Sequence, residues 1–306
     1  MFFTTSVVRF LGGSIHVMIR QLKSIVGNWI LPPAIGRLLR NYSPRALFFF
    51  FTHLSVFRLN KSLRNLHAGE RCFILCNGPS VKEQDIKRLR GEVVFSVSNG
   101  YRHPDFHVIQ PKYHFVPQIT YSALPLEATI DWFNEMHQSI GDANLFLSWQ
   151  EWKLVKKYKL FNTRKVNYLC MSKREFSRNG QFPELDGVLP SVQSVPVMAL
   201  MTALYMGFDK IYLIGADHDW FVKNEYKYFF DGQVKGAKDY GVSPKGRVLT
   251  TLWDALPSLK SLWGQYRSIK CIAEKQGVNI YNATQGGMLD EFERVDFDFL
   301  FLNERR

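Results

Sequence analysis

Acidic residues are missing from the first 69 positions. Nine Lys or Arg stand there, and Glu70 is the first carboxylate. The rest of the chain holds 30 basic and 27 acidic residues, so most of the formal charge of +12 belongs to this leader. A basic stripe over the whole chain is thereby excluded, and nucleic acid is not the expected partner. Cysteine is scarce as well. Cys72, Cys76, Cys170 and Cys271 form neither a zinc spacing nor a disulfide framework, and reduced, buried thiols in the cytoplasm are expected. Cys72 and Cys76 are four apart and share one face of a predicted strand. Long apolar runs are lacking too: none reaches the roughly 20 residues that span a bilayer. No secretory signal pattern is found. Internal repeats, low-complexity tracts, G-x-G-x-x-G and the P-loop pattern are all missing.

What the chain has is a hydrophobic content of 46% over 306 residues, with 25 Phe. That suffices for one large α/β domain. The leader mixes aromatic and apolar stretches ("MFFTTSVVRFLGG", "SIVGNWILPPAIG", "RALFFFFTHLSVFRL") with Arg and Lys. Such a segment suits the headgroup region of an anionic cytoplasmic leaflet, or the surface of a partner subunit. The composition changes near Leu66–Glu70, which predicts a boundary: residues 1–69 as a membrane-surface or interaction segment, of helical character, and residues 70–306 as a Rossmann-like catalytic domain.

Beyond Glu70, strand and helix patterns alternate. Strands are predicted at Arg71–Cys76, Glu92–Ser98, Lys112–Val116, Ala143–Leu147, Lys210–Asp217 and Val278–Tyr281. Helices are predicted at Val81–Arg90, with a Ser80/Glu83 capping box, and at Leu126–Ser139, Trp149–Tyr158, Ser194–Met206 and Tyr266–Gln276. Ser194–Met206 is apolar on all sides and should lie between layers, with Gly207 ending it. The alternation implies a mostly parallel sheet covered on both faces. Ligands then sit beyond the carboxyl ends of the strands. That rule gathers Asn77–Ser80, Asn99–Tyr101, Pro117-Gln118, Asp217–Trp220 and Asn282–Gly287 around one crevice.

Within "CFILCNGPSVKEQDIKRL", Gly78 would let the backbone approach a ligand, and the next helix would offer free N–H groups to a phosphate. Asn77 suits a ribose or a base edge; the segment could also be a turn plus an N-cap. Asp217-His218-Asp219 ends the most apolar strand, just after Gly215. Its two carboxylates could hold a divalent cation against a diphosphate, or one group could act as a general base; capping by Asp217 and local packing of His218 are the alternatives. Tyrosines of "EYKYFFDG" could donate to a leaving phosphate, or could pack on the sheet edge with Phe229 and Phe230. Ser194 could hold an anion or only cap its helix, and Asn282–Gly287 could be only a loop. His103, His107 and His114 match no metal spacing.

Taken in order, "ILCNGPSVKEQDI", "SVSNGY", "MGFDKIYLIGADHDW" and "YKYFFDG" resemble the Campylobacter-type bacterial sialyltransferases. "IYNATQGGMLDEFERV" resembles the related hydroxymethylpterin diphosphokinase-like domain, which also occurs in motility accessory factors. The resemblance covers about Arg71–Val295, with a poorly matched middle. It implies a single Rossmann-like domain that binds a CMP-activated nonulosonic acid and transfers the sugar with inversion, without an essential metal, although Mg²⁺ stays open. It also implies nucleotide contacts from Asn77, Ser80 and Asn99, a role for Asp217, and stabilisation of the leaving phosphate by Tyr228. Gly78, Pro79, Gly100, Gln118, Ser194 and Gly215 complete the expected nucleotide site. The family's catalytic histidine has no counterpart near Lys260, where Asp254, Lys260 and Tyr266 stand instead, so the base should be His218 or Asp219.

The expected protein is a glycosyltransferase, cytoplasmic and peripheral at the inner membrane. Its partners would be a CMP-sugar donor (sialic acid, a related nonulosonate or Kdo) and a glycan or glycolipid acceptor, with homo-oligomerisation left open. A Mg²⁺-dependent diphosphotransferase and a non-catalytic component of a polysaccharide-assembly complex are the competing expectations.

Overall fold

The structure is a computed structural model that describes residues 54–116, 118, 125–172, 176, 182–223, 228–230 and 251–304. The predicted leader up to residue 53 lies outside them. Nine strands form one sheet: β1 (Arg71–Leu75), β2 (Val93–Val97), β3 (Tyr113–Phe115), β4 (Asn144–Ser148), β5 (Val166–Met171), β6 (Val188–Leu189), β7 (Lys210–Ile214), β8 (Asn279–Asn282) and β9 (Glu293–Arg294). Every pairing is parallel, in the order β6-β5-β4-β3-β2-β1-β7-β8-β9. The helices are α1 (Leu54–Arg58), α2 (Phe106–Ile109), α3 (Leu126–Ser139), α4 (Trp152–Lys157), α5 (Val195–Met206), α6 (Trp220–Lys223) and α7 (Leu252–Lys275). The α/β class and the parallel sheet are as the sequence predicts, compatible with a Rossmann-like fold.

The strands read as unbroken apolar runs because both faces are covered. "CFIL" of β1 and "IYLI" of β7 are buried throughout. The α5 helix is buried from Pro196 to Met206, between α7 and the sheet. Proline in its first turn suits the start, and Gly207, at φ +81°, takes the left-handed position that ends it. From β1 the chain runs outward to β6. Helix α5 then returns it to β7, on the other side of β1. The order reverses between β1 and β7, so their carboxyl ends lie side by side, with Leu75 opposite Ile214. Ligands bind at such a reversal in open α/β sheets.

Three expectations need correction. Val81–Arg90 is not an α-helix but two 3₁₀ turns, Pro79–Glu83 and Ile86–Leu89. Gln84 is extended between them, and the Asp85 side chain accepts from the Lys87 amide to start the second turn. Ser80 caps nothing, because its hydroxyl is bonded to Asp217. The predicted Tyr266–Gln276 helix is the last part of α7, whose start is a Thr251/Asp254 capping box. Pro257 and Gly264 inside α7 hide its first half from a periodicity reading.

The packed unit also begins earlier than the compositional break. Phe57 is fully buried, and the Asn60 amide donates to the Tyr168 and Leu185 carbonyls at 2.8 and 2.9 Å. His67 stacks on Phe208 and shares a 2.8 Å hydrogen bond with Tyr113. Residues 54–67 therefore belong to the same packed body as the sheet. No helix among the described residues is long and apolar enough to cross a membrane.

Candidate active site at the reversal of the sheet

Beyond their last strand residues, β1 and β7 stay paired. The Cys76 amide donates to Ile214 O at 2.8 Å, and the Gly78 amide donates to Gly215 O at 2.9 Å. The Asp217 carboxylate, 6% exposed, then receives the Ser80 hydroxyl at 2.7 Å and the Ser80 amide at 3.3 Å. Gly78 is obligatory here, since a Cβ would run into Asp217 Oδ2 and stand 2.5 Å from Gly215 O. From the other side, Gly287 (φ +74°) presses on the Asp217 backbone, and the Met288 amide donates to Asp217 O at 2.6 Å. Asn77, Gly78, Pro79, Ser80, Gly215 and Asp217 thus form one knot. The amides of Gly78 and Ser80 are used within it, and Pro79 has none. The phosphate cradle expected of this loop is absent, because Asp217 occupies it.

Turns after β8 frame the same corner. Asn282, fully buried, donates to Leu289 O and accepts from the Thr284 amide, and the Thr284 hydroxyl accepts from the Ala216 amide. The Arg294 guanidinium reaches the carbonyls of Gly286 and Gly287 at 2.5 and 2.9 Å.

A second cluster adjoins the knot. His218 has φ +47°, and its Nε2 lies 2.7 Å from the hydroxyl of Tyr266. Tyr266, fully buried on α7, lies 3.4 Å from the Ser194 hydroxyl at the start of α5. Burial pushes the imidazole down to about 4, with the charge of Asp219 working against that shift. Burial, helped by the neighbouring Cys76, raises the Tyr266 phenol far above its ordinary value, so it stays protonated. Burial and then Asp217 push the Cys76 thiol up, which makes it an inert packing group. Ser194 has no capping hydrogen bond to α5.

On the β2 side, Asn99 is buried and its Oδ1 accepts from Trp132 Nε1 at 2.7 Å. A Cβ on Gly100 would stand 3.5 Å from Asn77 Oδ1, so the Asn77 side chain reaches toward the turn after β2. Asn77 Oδ1 is buried without a hydrogen-bond partner. A recess of about 320 Å³ is lined among others by Val81, Gln84, His103, Pro104 and Phe229. Gln84 Nε2 donates to Ala283 O at 2.8 Å, which leaves its buried Oε1 as a second acceptor without a partner. Phe229 is buried against His103, and its amide donates to Asn77 O. Tyr228 stacks on Phe230 at 5.1 Å. Gln118 bonds to Gln150, two strands from β1, and His114 is buried on β3 with its Nδ1 2.8 Å from Ser96 Oγ. Pro117 and most of "EYKYFFDG" lie outside the described residues.

Of the alternatives near Lys260, Asp254 is a helix cap, Lys260 is exposed, and only Tyr266 reaches the cluster. Sequence reasoning missed its partnership with His218, which is 48 positions distant. The only signal was a polar tip within a buried helical stripe. Among the described residues, no three His, Cys, Asp or Glu side chains are grouped to hold a metal. Both Asp217 oxygens already face Ser80, which does not suit the expected Asp217–Mg²⁺ bridge. No family model matches this chain, and no curated protein matches it.

Proposed function

We propose that the chain is a glycosyltransferase. It moves a nonulosonic-type sugar from a CMP-sugar to a hydroxyl of a surface glycan or lipid-linked acceptor, at the inner face of the cytoplasmic membrane. The observation that carries this reading is the junction of β1 and β7, where Asn77–Ser80 and Asp217-His218-Asp219 meet at one rim. Two buried acceptors without partners, Asn77 Oδ1 and Gln84 Oε1, support it further. Ribose hydroxyls and the exocyclic amine of cytosine are donors that would satisfy them, whereas uracil presents a carbonyl in place of that amine.

In this mechanism the Asp219 carboxylate takes the proton of the acceptor hydroxyl as its oxygen bonds to the anomeric carbon. The bond from that carbon to the phosphate oxygen breaks, and CMP leaves with the electron pair. In this reading Tyr228 would donate to the leaving phosphate, and Ser194, at the start of α5, would lie near it. Asp217 holds the loop after β1 and does not act on the substrate.

Thermal-shift titration with CMP, CDP, UMP, UDP, GDP and ATP, with and without Mg²⁺, tests the proposal. CMP should raise Tm in either condition; a ligand at 100 times its Kd adds about 2.7 kcal/mol. No response to cytidine nucleotides, or a response to ATP with Mg²⁺ alone, would remove the assignment.

A further inference from the structure

The hydroxyl of Tyr266 has two neighbours, His218 Nε2 at 2.7 Å and Ser194 Oγ at 3.4 Å. It carries one proton, which a buried phenol must donate to something. The Ser194 contact is at the limit of a hydrogen bond, while the 2.7 Å contact to Nε2 is a good one, so the single phenol proton is satisfied only at the ring. The phenol proton therefore points at Nε2, and Ser194 can donate its own proton to the phenol oxygen. Nε2 then has no lone pair left for another proton. A neutral ring with Nε2 as acceptor carries its hydrogen on Nδ1.

The surroundings favour such a fixed ring. Trp263 stands 5.9 Å from it and Tyr266 5.5 Å, centroid to centroid. The His218 backbone sits in the left-handed region, uncommon for a residue other than glycine. It is fixed from both sides, by Met288 N on Asp217 O and by Val222 N on Asp219 O.

We infer that Tyr266 is a positioning residue that locks His218 in its Nδ1–H tautomer, so that His218 donates a hydrogen bond to a ligand oxygen and does not act as the base. On this inference the base of the reaction is Asp219, the other candidate the sequence offers. The identity of the ligand rests on the glycosyltransferase reading; the tautomer does not.

Nitrogen-15 spectra of histidine-labelled protein at neutral pH test it, with His218→Gln assigning the signal. In the wild type, Nδ1 should resonate as a protonated nitrogen and Nε2 as an unprotonated acceptor. Tyr266→Phe should convert this single form into a mixture of tautomers. An Nε2–H form in the wild type, or an unchanged single form in Tyr266→Phe, would overturn the inference. The wild-type spectrum alone decides the tautomer if Tyr266→Phe does not fold. Loss of the CMP response would sink the glycosyltransferase reading and leave the nitrogen pattern as it is.

Discussion

Ser80 and Asp217, 137 positions apart, are joined by two hydrogen bonds to one buried carboxylate, and this pair ties the carboxyl ends of β1 and β7 together. The contact turns two motifs remote in sequence into a single corner. It also uses groups that a phosphate would otherwise receive.

Ser80→Ala should therefore act first on stability. It removes the shorter, charge-assisted bond and leaves a buried carboxylate short of one donor, which costs about 1.5–3 kcal/mol. Urea denaturation should show a lower midpoint with an unchanged slope. An unaltered midpoint would mean that the pair holds nothing.

Gly78→Ala is expected to be worse. The added methyl group collides with the Asp217 carboxylate and the Gly215 carbonyl, and one of these is backbone that cannot rotate away. A loss of about 3 kcal/mol, the upper end for overpacking, should appear as a lower Tm or as insoluble protein.

Much of the fold could be read from the chain, and the reasons are local. "KIYLIGAD" and "RCFILC" are apolar runs with polar ends, of a length that suits a strand buried on both faces, and α5 is apolar on every side. The segment after β1 reads as a helix because Ser80 looks like an N-cap, while its true partner lies across the sheet. The sequence pattern does not disclose strands β5, β6 and β9. β6 and β9 have only two residues each, and they exist because a neighbouring strand edge is there to pair with. The site was legible as a set of strand ends but not as contacts: nothing in the sequence relates Tyr266 to His218, or Gly287 to Asp217.

Stability should fall in acid because two histidines, His114 fully buried and His218 partly buried, are held uncharged. His218 is held near 4 and His114 near 3, in both cases mainly by burial. Both folded values lie below the unfolded value near 6.5, so the unfolded chain binds more protons as pH drops below it. Each histidine then contributes a slope of about 1.4 kcal/mol per pH unit between about 6.5 and its folded value, with stability lost as pH falls. Urea midpoints measured from pH 7.5 to 5 check this, and His114→Gln should flatten the profile.

Asp219→Asn should lower turnover by about 10²- to 10⁴-fold, the usual contribution of a general base, with CMP affinity nearly unchanged. Steady-state kinetics and a CMP titration on one preparation separate the two effects. Normal turnover would remove Asp219 from the mechanism.

Activity should survive EDTA, since the carboxylate best placed to bridge a metal is already committed to Ser80. Complete loss in chelator, restored by Mg²⁺, would favour the diphosphotransferase alternative.

Leu54–Arg58 packs over β5, several strands away from the β1–β7 corner. A shortened chain that starts at Glu70 would strip away the Phe57 anchor, the Asn60 clasp on two backbone carbonyls and the His67 ring on Phe208. Experiments on the basic leader should therefore cut ahead of Leu54, or they will confuse a weakened core with a lost attachment.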